Sequence, residues 1–128
     1  MQPSERVLDD QGLPEGYPLQ PGWEVTPREV RSMQEAGQVF LLLDVREPRE
    51  VAAAAVEGAT VVPMGEVPAR LADLKAHADS KVVVMCHHGM RSLRVAAFLR
   101  QNAFADVTSM AGGIDLWSRD IDPAVPRY

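Results

Sequence analysis

The sequence predicts a three-layer α/β domain, with helices covering both faces of a central, mostly parallel sheet of five strands. Apolar runs of strand length alternate along the chain with segments of helical periodicity, which is typical of βαβ units. The run 39–45 is apolar almost without interruption, as expected of a strand that is buried on both faces. A chain of 128 residues with an apolar content of 46% can form one such domain around one core.

Residues 1–22 are predicted to be an irregular lead-in, and residues 23–128 to form the domain. Proline and glycine recur through the lead-in with little periodicity. Residues 23–25 are predicted to form a short first strand. Thr26 then caps a helix, and Glu29 stands three residues further on, where its carboxylate completes a capping box.

The same patterns place the remaining elements. Further strands are predicted at residues 39–45, 60–62, 82–85 and 106–110, and further helices at residues 51–56, 66–76, 92–101 and 114–119. The residues from Asp122 onward are predicted to be extended. Ligands of open parallel sheets bind beyond the carboxyl ends of the strands, so the turn after Met85 is the first place to look for a site.

The composition excludes several classes of function. A net charge of −5 argues against a nucleic-acid-binding surface, which would be basic. The chain contains no apolar stretch of the ~20 residues that a membrane-spanning helix needs. It begins with no charged segment followed by an apolar one, so no secretory signal is expected. A single cysteine cannot form an internal disulfide, and we therefore expect a reducing, cytoplasmic location.

Cys86 begins the turn that joins the strand 82–85 to the following helix. Such a turn directs the first N–H groups of the helix towards one point and favours a bound anion there. These amides and the guanidinium of Arg91 would favour the thiolate, which is the reactive form of cysteine. A lone cysteine is more often buried and inert. A turn that contains Gly89 and ends in Arg91 and Ser92 instead favours a nucleophile.

The seven residues from Cys86 to Ser92 resemble the active-site loop of the rhodanese-like domains, whose general form is C-x-x-G-x-R-S. Three other segments resemble signatures of that family and occur in the family's order: D-V-R-E at 44–47, G-A-x-x-x-P at 58–63 and G-G-x-x-x-W at 112–117. The resemblance therefore extends from about residue 23 to the end of the chain. It implies the rhodanese-like fold and a sulfurtransferase that needs no cofactor and no metal.

The resemblance also implies roles for individual residues. Cys86 would accept a sulfane sulfur from a small donor such as thiosulfate and pass it, through a persulfide, to cyanide, a thiol or a protein. Arg91 would hold the loop and add positive potential, and Asp44 and Arg46 would support the loop or form a structural ion pair. The remaining loop residues would form the substrate-binding cradle: His87, His88, Gly89, Met90 and Ser92. The family often carries a histidine where Ala55 stands here.

Three alternatives remain open at this stage. Cysteine-dependent phosphatases and arsenate reductases share the strand–loop–helix design, but they need five residues between cysteine and arginine, whereas four separate Cys86 from Arg91. A rhodanese-like domain can also act as a sulfur carrier or regulatory binding module with little turnover. A peroxide-sensing thiol would need a resolving thiol from another molecule.

Overall fold

The computed structural model describes residues 5–128, so the first four residues of the predicted lead-in lie outside the description. Five strands form one sheet: β1 (Glu24–Val25), β2 (Leu41–Asp44), β3 (Thr60–Val61), β4 (Lys81–Met85) and β5 (Asp106–Met110). Their order across the sheet is β1-β5-β4-β2-β3, and every neighbouring pair is parallel. The predicted α/β class with a parallel five-stranded sheet is confirmed.

Five α-helices connect or follow the strands: α1 (Pro27–Glu35), α2 (Pro48–Ala53), α3 (Leu71–Leu74), α4 (Met90–Gln101) and α5 (Gly113–Asp120). The predicted capping box at the start of α1 is present. The Thr26 hydroxyl accepts the Glu29 N–H at 3.1 Å, and the Glu29 carboxylate accepts the Thr26 N–H at 3.3 Å. Two N–H groups that the helix leaves without an internal partner are thereby satisfied.

The prediction of one continuous helix over residues 66–76 is wrong. Only Leu71–Leu74 is α-helical, between short 3-10 turns at Met64–Glu66 and Lys75–His77. Pro68 lies inside the predicted span, and proline lacks the N–H that a helix interior needs. The apolar residues of this segment still face the core, which is why their spacing is typical of a longer helix.

The sheet is buried on both faces, as the apolar strands predict. On one face, Leu41 and Leu43 of β2 belong to a cluster with α3 and α4, which contribute residues such as Leu74 and Leu99. On the other face, Leu42 belongs to a cluster with α1 and α5, which contribute Val30, Ile114 and Trp117. Successive residues of β2 thus enter different clusters, because side chains alternate along a strand.

Both ends of the described chain fold back onto the domain. Leu13 of the lead-in is buried against Ala111 and Leu116. The lead-in thus packs on the domain, although it precedes the segments that resemble the rhodanese-like family. The predicted extended tail instead turns at Asp122–Val125, where the Val125 N–H donates to the Asp122 carbonyl at 3.1 Å. The boundary between lead-in and domain at residue 22 stays a prediction.

No helix within residues 5–128 is both long and apolar enough to cross a bilayer.

Candidate active site

The Cys86 loop leaves the carboxyl end of β4 and enters α4. Gly89 is the residue before the helix and has a φ of +107°, a conformation that residues with a side chain rarely adopt. A Cβ at this position would also lie 3.3 Å from the Gly112 nitrogen. The helix begins at Met90, two residues before the predicted Ser92, so the turn is tighter than the sequence pattern indicated.

The thiol of Cys86 lies inside this loop and is only 1% exposed. Its Sγ accepts the N–H of Gly89 at 3.1 Å and that of Ser92 at 3.4 Å, and the Ser92 hydroxyl lies 3.3 Å away. Two backbone donors and the amino end of α4 therefore point at the sulfur. Such an arrangement stabilises negative charge that resides or develops there.

Ser109 of β5 extends this arrangement, although no sequence motif indicates it as a site residue. Its hydroxyl lies 2.7 Å from that of Ser92, and both residues are fully buried. The pair orients the Ser92 hydroxyl beside the sulfur. Ser109 reaches the site because β5 pairs with β4, with Val84 opposite Ser109 in the register.

The start of α5 holds the loop from the other side. The Ile114 N–H donates to the Cys86 carbonyl at 2.9 Å, and the Asp115 N–H donates to the His87 carbonyl at 3.2 Å. A Cβ on Gly113 would lie 2.4 Å from both carbonyl oxygens, so this close approach requires glycine. The G-G-x-x-x-W segment thus contributes the backbone that fixes the position of the cysteine.

Arg91 forms an ion pair with Glu50 of α2. Its two terminal nitrogens lie 2.7 and 2.9 Å from the two carboxylate oxygens, which is a bidentate geometry. The guanidinium lowers the pKa of the Glu50 carboxyl from 4.5 to about 2, and Glu50 in turn raises the pKa of Arg91. Arg91 therefore ties α4 to α2, and Glu50 is a site residue that the sequence did not indicate.

Replacing Glu50 by glutamine is expected to lower the free energy of unfolding near neutral pH by about 1.5–3 kcal/mol, the range for hydrogen bonds to charged groups. Folding lowers the pKa of Glu50, so this stabilisation is fully present above pH 4.5 and is lost as the pH falls towards 2. The measurement is urea unfolding of both proteins at a series of pH values. Glu66→Gln is the matched control, because Glu66 is exposed and forms no ion pair among residues 5–128. A difference that stayed constant with pH would contradict this account.

Asp44 and Arg46 form a buried ion pair at the carboxyl end of β2. Their side chains are 1% and 0% exposed, and the shortest distance between guanidinium and carboxylate is 2.7 Å. Arg46 also donates to the Tyr128 hydroxyl at 3.0 Å, and that hydroxyl donates to Glu50 at 2.8 Å. Tyr128 and Glu50 connect this ion pair to Arg91 and hence to the loop. Whether the pair supports the loop or serves only as a structural ion pair stays a prediction.

His87 and His88 have different surroundings. His87 stacks on the Tyr128 ring, with 4.0 Å between ring centroids and an interplanar angle of 7°. Burial and the neighbouring His88 lower the pKa of the His87 imidazole, so that it is neutral near pH 7. His88 is largely exposed and lies 4.0 Å from a carboxylate oxygen of Asp115. The tail thus covers His87 and leaves His88 at the surface.

Met90 and the lead-in form a groove beside the loop. The Met90 side chain is 70% exposed and lines a cavity of about 490 Å³ together with Tyr17. The Tyr17 hydroxyl donates to Glu24 at 2.9 Å and accepts the Gly112 N–H at 3.2 Å. Ala55, in contrast, is exposed and lines a different cavity beside Trp117.

A family model, the rhodanese-like domain, matches residues 26–120. The chain belongs to the rhodanese-like domain family. The match begins after the lead-in, so Tyr17 lies outside it.

Rhodanese-like relatives occur both as short proteins and as parts of longer ones. The chain is 34% identical over 100 residues to the thiosulfate sulfurtransferase GlpE of Pseudomonas aeruginosa, covering 78% of this chain and 86% of that protein. It is 32% identical over 130 residues to the adenylyltransferase and sulfurtransferase MOCS3-1 of Zea mays, covering 98% of this chain and 28% of that protein. It spans only 23% to 30% of the length of several relatives of the longer kind.

A solved structure shows the same fold in a short protein. The human single-domain sulfurtransferase TSTD1 superposes with a TM-score of 0.67 at 26% identity, covering 75% of this chain and 95% of that one. Relatives named as sulfurtransferases thus support a rhodanese-type transferase family for this chain.

Proposed function

We propose that this rhodanese-like domain is a sulfurtransferase that carries a sulfane sulfur as a persulfide on Cys86. The observation that supports it best is the pair of N–H groups, from Gly89 and Ser92, that point at the Cys86 sulfur. They stabilise the thiolate before the sulfur is accepted and again when the sulfur has left. The N–H groups of Ile114 and Asp115, which donate to the loop carbonyls, and the Arg91–Glu50 ion pair hold this geometry.

Thiosulfate is the proposed donor, in keeping with the name of the Pseudomonas relative. The Cys86 thiolate attacks the terminal sulfur of thiosulfate and forms a new S–S bond. The original S–S bond breaks, and sulfite leaves with its electron pair. Thiolates attack divalent sulfur in this manner in thiol–disulfide exchange, and no external oxidant or reductant is consumed.

An acceptor then removes the outer sulfur. Cyanide, a small thiol or a protein attacks it, the bond to Sγ breaks, and the Cys86 thiolate is restored as the leaving group. The Gly89 and Ser92 N–H groups receive the returning charge. The cycle needs Cys86 reduced, and we therefore propose that the protein works in a reducing compartment such as the cytoplasm.

The test is intact mass spectrometry after incubation with thiosulfate and removal of the excess. We expect an adduct of about +32 Da, one sulfur atom, that disappears on addition of cyanide. Repeating the measurement with organic persulfides and a protein persulfide compares donors directly. If none of these donors produced the adduct, sulfur transfer through Cys86 would be excluded. An adduct that formed but did not turn over with any acceptor would favour the alternative function, a binding module that carries sulfur.

A further inference from the structure

The hydroxyl of Tyr17 lies where the lead-in meets the two turns that shape the active site. It accepts the Gly112 N–H at 3.2 Å and donates to the Glu24 carboxylate at 2.9 Å. A Cβ placed on Gly89 would lie 3.5 Å from this oxygen and 3.3 Å from the Gly112 nitrogen. Tyr17 and the turn at Gly112 therefore meet beside the glycine whose N–H donates to the Cys86 sulfur.

This hydroxyl is held in one orientation. Glu24 is buried in β1, and its second carboxylate oxygen accepts the Gln20 N–H at 2.9 Å. The ring of Tyr17 packs against the cluster that contains Leu116. Burial and the bond to the carboxylate raise the pKa of Tyr17 well above its ordinary value, so the hydroxyl keeps its proton near neutral pH. Since that single proton is donated to Glu24, the oxygen is left to accept the Gly112 N–H.

The turn that Tyr17 holds is the same turn that holds the loop. Gly112 and Gly113 have φ values of +72° and +59°, and the N–H groups of Ile114 and Asp115 then donate to the loop carbonyls. A partly buried N–H that loses its acceptor is destabilising, and a movement of the turn towards another acceptor would relieve this. Because the turn is bonded to the loop, such a movement would displace the loop as well.

We propose that Tyr17 is a positioning residue for the reaction of Cys86: its hydroxyl holds the Gly112 turn in the place where the Gly89 N–H stays directed at the sulfur. The inference rests on the proposed function for the identity of the reacting group, the Cys86 thiolate. Tyr17 acts through the backbone of the two turns rather than through contact with the sulfur. It precedes residues 26–120, which the family model matches, so the lead-in of this chain supplies the support.

The test is the pH profile of the Cys86 thiolate in Tyr17→Phe, a change that removes the hydroxyl and keeps the ring. Cys86 is the only cysteine of the chain, so the ultraviolet absorbance of the thiolate reports on it alone once the profile of Cys86→Ser in the same background is subtracted. We expect the midpoint of the profile to move upwards by about 0.5–1 in pH, the effect of weakening one hydrogen bond to the sulfur.

The rate of persulfide formation gives a second readout in Tyr17→Phe. Below the midpoints of both profiles, single-turnover addition of sulfur from thiosulfate should slow by about two- to fourfold. The loss is smaller than the fall in the thiolate fraction, because a more basic thiolate is also a better nucleophile. The other titratable and charged groups around the loop are kept in this variant: Glu24, Glu50, His87, His88, Arg91 and Asp115.

Glu24 is the member of this set that Tyr17→Phe affects directly, because its carboxylate loses a donor. A stronger field from this carboxylate would also raise the midpoint, since nearby negative charge disfavours a thiolate. Glu24→Gln keeps an oxygen that can accept from Tyr17 but carries no charge, so we compare it with the double variant Tyr17→Phe/Glu24→Gln. We expect an upward shift in this comparison as well. A shift that occurs only when Glu24 is present would overturn the positioning role.

Ser118→Ala is the matched control, because it also removes one buried hydroxyl. The Ser118 hydroxyl donates within α5 to the Ile114 carbonyl at 2.9 Å. We expect both Ser118→Ala and Tyr17→Phe to unfold at lower urea concentrations than the unmodified protein, and only Tyr17→Phe to shift the midpoint. If Tyr17 served stability alone, neither midpoint would move, and the proposal would be wrong.

The outcomes separate this inference from the proposed function. If Tyr17→Phe shifts the midpoint but no donor adds sulfur to the unmodified protein, sulfur transfer fails, while the role of Tyr17 in holding the thiolate stands. If the +32 Da adduct forms in the unmodified protein, and Tyr17→Phe changes neither the midpoint nor the rate of adduct formation, the proposed function stands and the positioning role is refuted.

Discussion

Replacing Cys86 by serine is expected to lower sulfur transfer from thiosulfate to cyanide by at least about a thousandfold, because the covalent sulfur carrier is lost. A serine hydroxyl is not ionised near neutral pH, and it forms no persulfide. The site stays otherwise intact, since the exchange changes one atom within a buried loop. Thiocyanate formation measures the rate, and intact mass spectrometry should show no added sulfur.

Ser109→Ala is the matched control for this substitution. It removes a buried hydroxyl next to Ser92 but keeps the thiol and both N–H donors. We expect transfer within about tenfold of the unmodified protein, since one hydrogen bond contributes about 1 kcal/mol net. Substantial transfer by Cys86→Ser would refute the role proposed for Cys86. Loss of transfer in Ser109→Ala, with the adduct still formed, would instead place the serine pair in the second half of the cycle.

Asp44→Ala is expected to lower the free energy of unfolding by about 3–5 kcal/mol, the cost of leaving one member of a buried ion pair without its partner. Arg46 is fully buried and donates to Asp44 through its side chain and its backbone N–H. Removing the carboxylate leaves an uncompensated guanidinium beneath the active-site loop. Urea unfolding measures the change, and at its upper end the change approaches the whole stability of a small domain.

Asp73→Ala serves as the comparison for the buried pair. Asp73 also pairs with an arginine, Arg70, but both side chains are largely exposed, at 73% and 46%. Asp73→Ala should lower the free energy of unfolding by no more than about 1 kcal/mol, as for other surface ion pairs. If Asp44→Ala and Asp73→Ala lowered the free energy of unfolding equally, this account would be wrong. Water or a rearrangement would then stabilise the charge of the Arg46 guanidinium in place of Asp44.

Much of the fold could be read from local patterns. The continuous apolar run of β2 indicated a strand buried on both faces, and Thr26 with Glu29 indicated the start of α1. These signals are reliable because each depends on residues only a few positions apart. The helix predicted over residues 66–76 failed for a local reason as well, since Pro68 interrupts a segment whose apolar spacing still faces the core.

The candidate site was predictable only in its central part. The spacing of Cys86, Gly89 and Arg91 and the resemblance to the rhodanese-like loop located it, and the roles of these residues stay predictions. The loop alone could not show that Arg91 is paired with Glu50, which lies 41 residues away. The sequence pattern places Tyr128 in an extended tail, yet its ring stacks on His87.

By itself the sequence determined the α/β class and the position of its single cysteine between a strand and a helix, because both depend on short-range periodicity and on one contiguous turn. Tertiary structure decided what surrounds that cysteine. Ser109 approaches through strand pairing, Gly113 through the start of α5, and Tyr17 through the lead-in that folds back over the loop. These contacts join residues far apart in the chain, and no local pattern encodes which distant segments will meet.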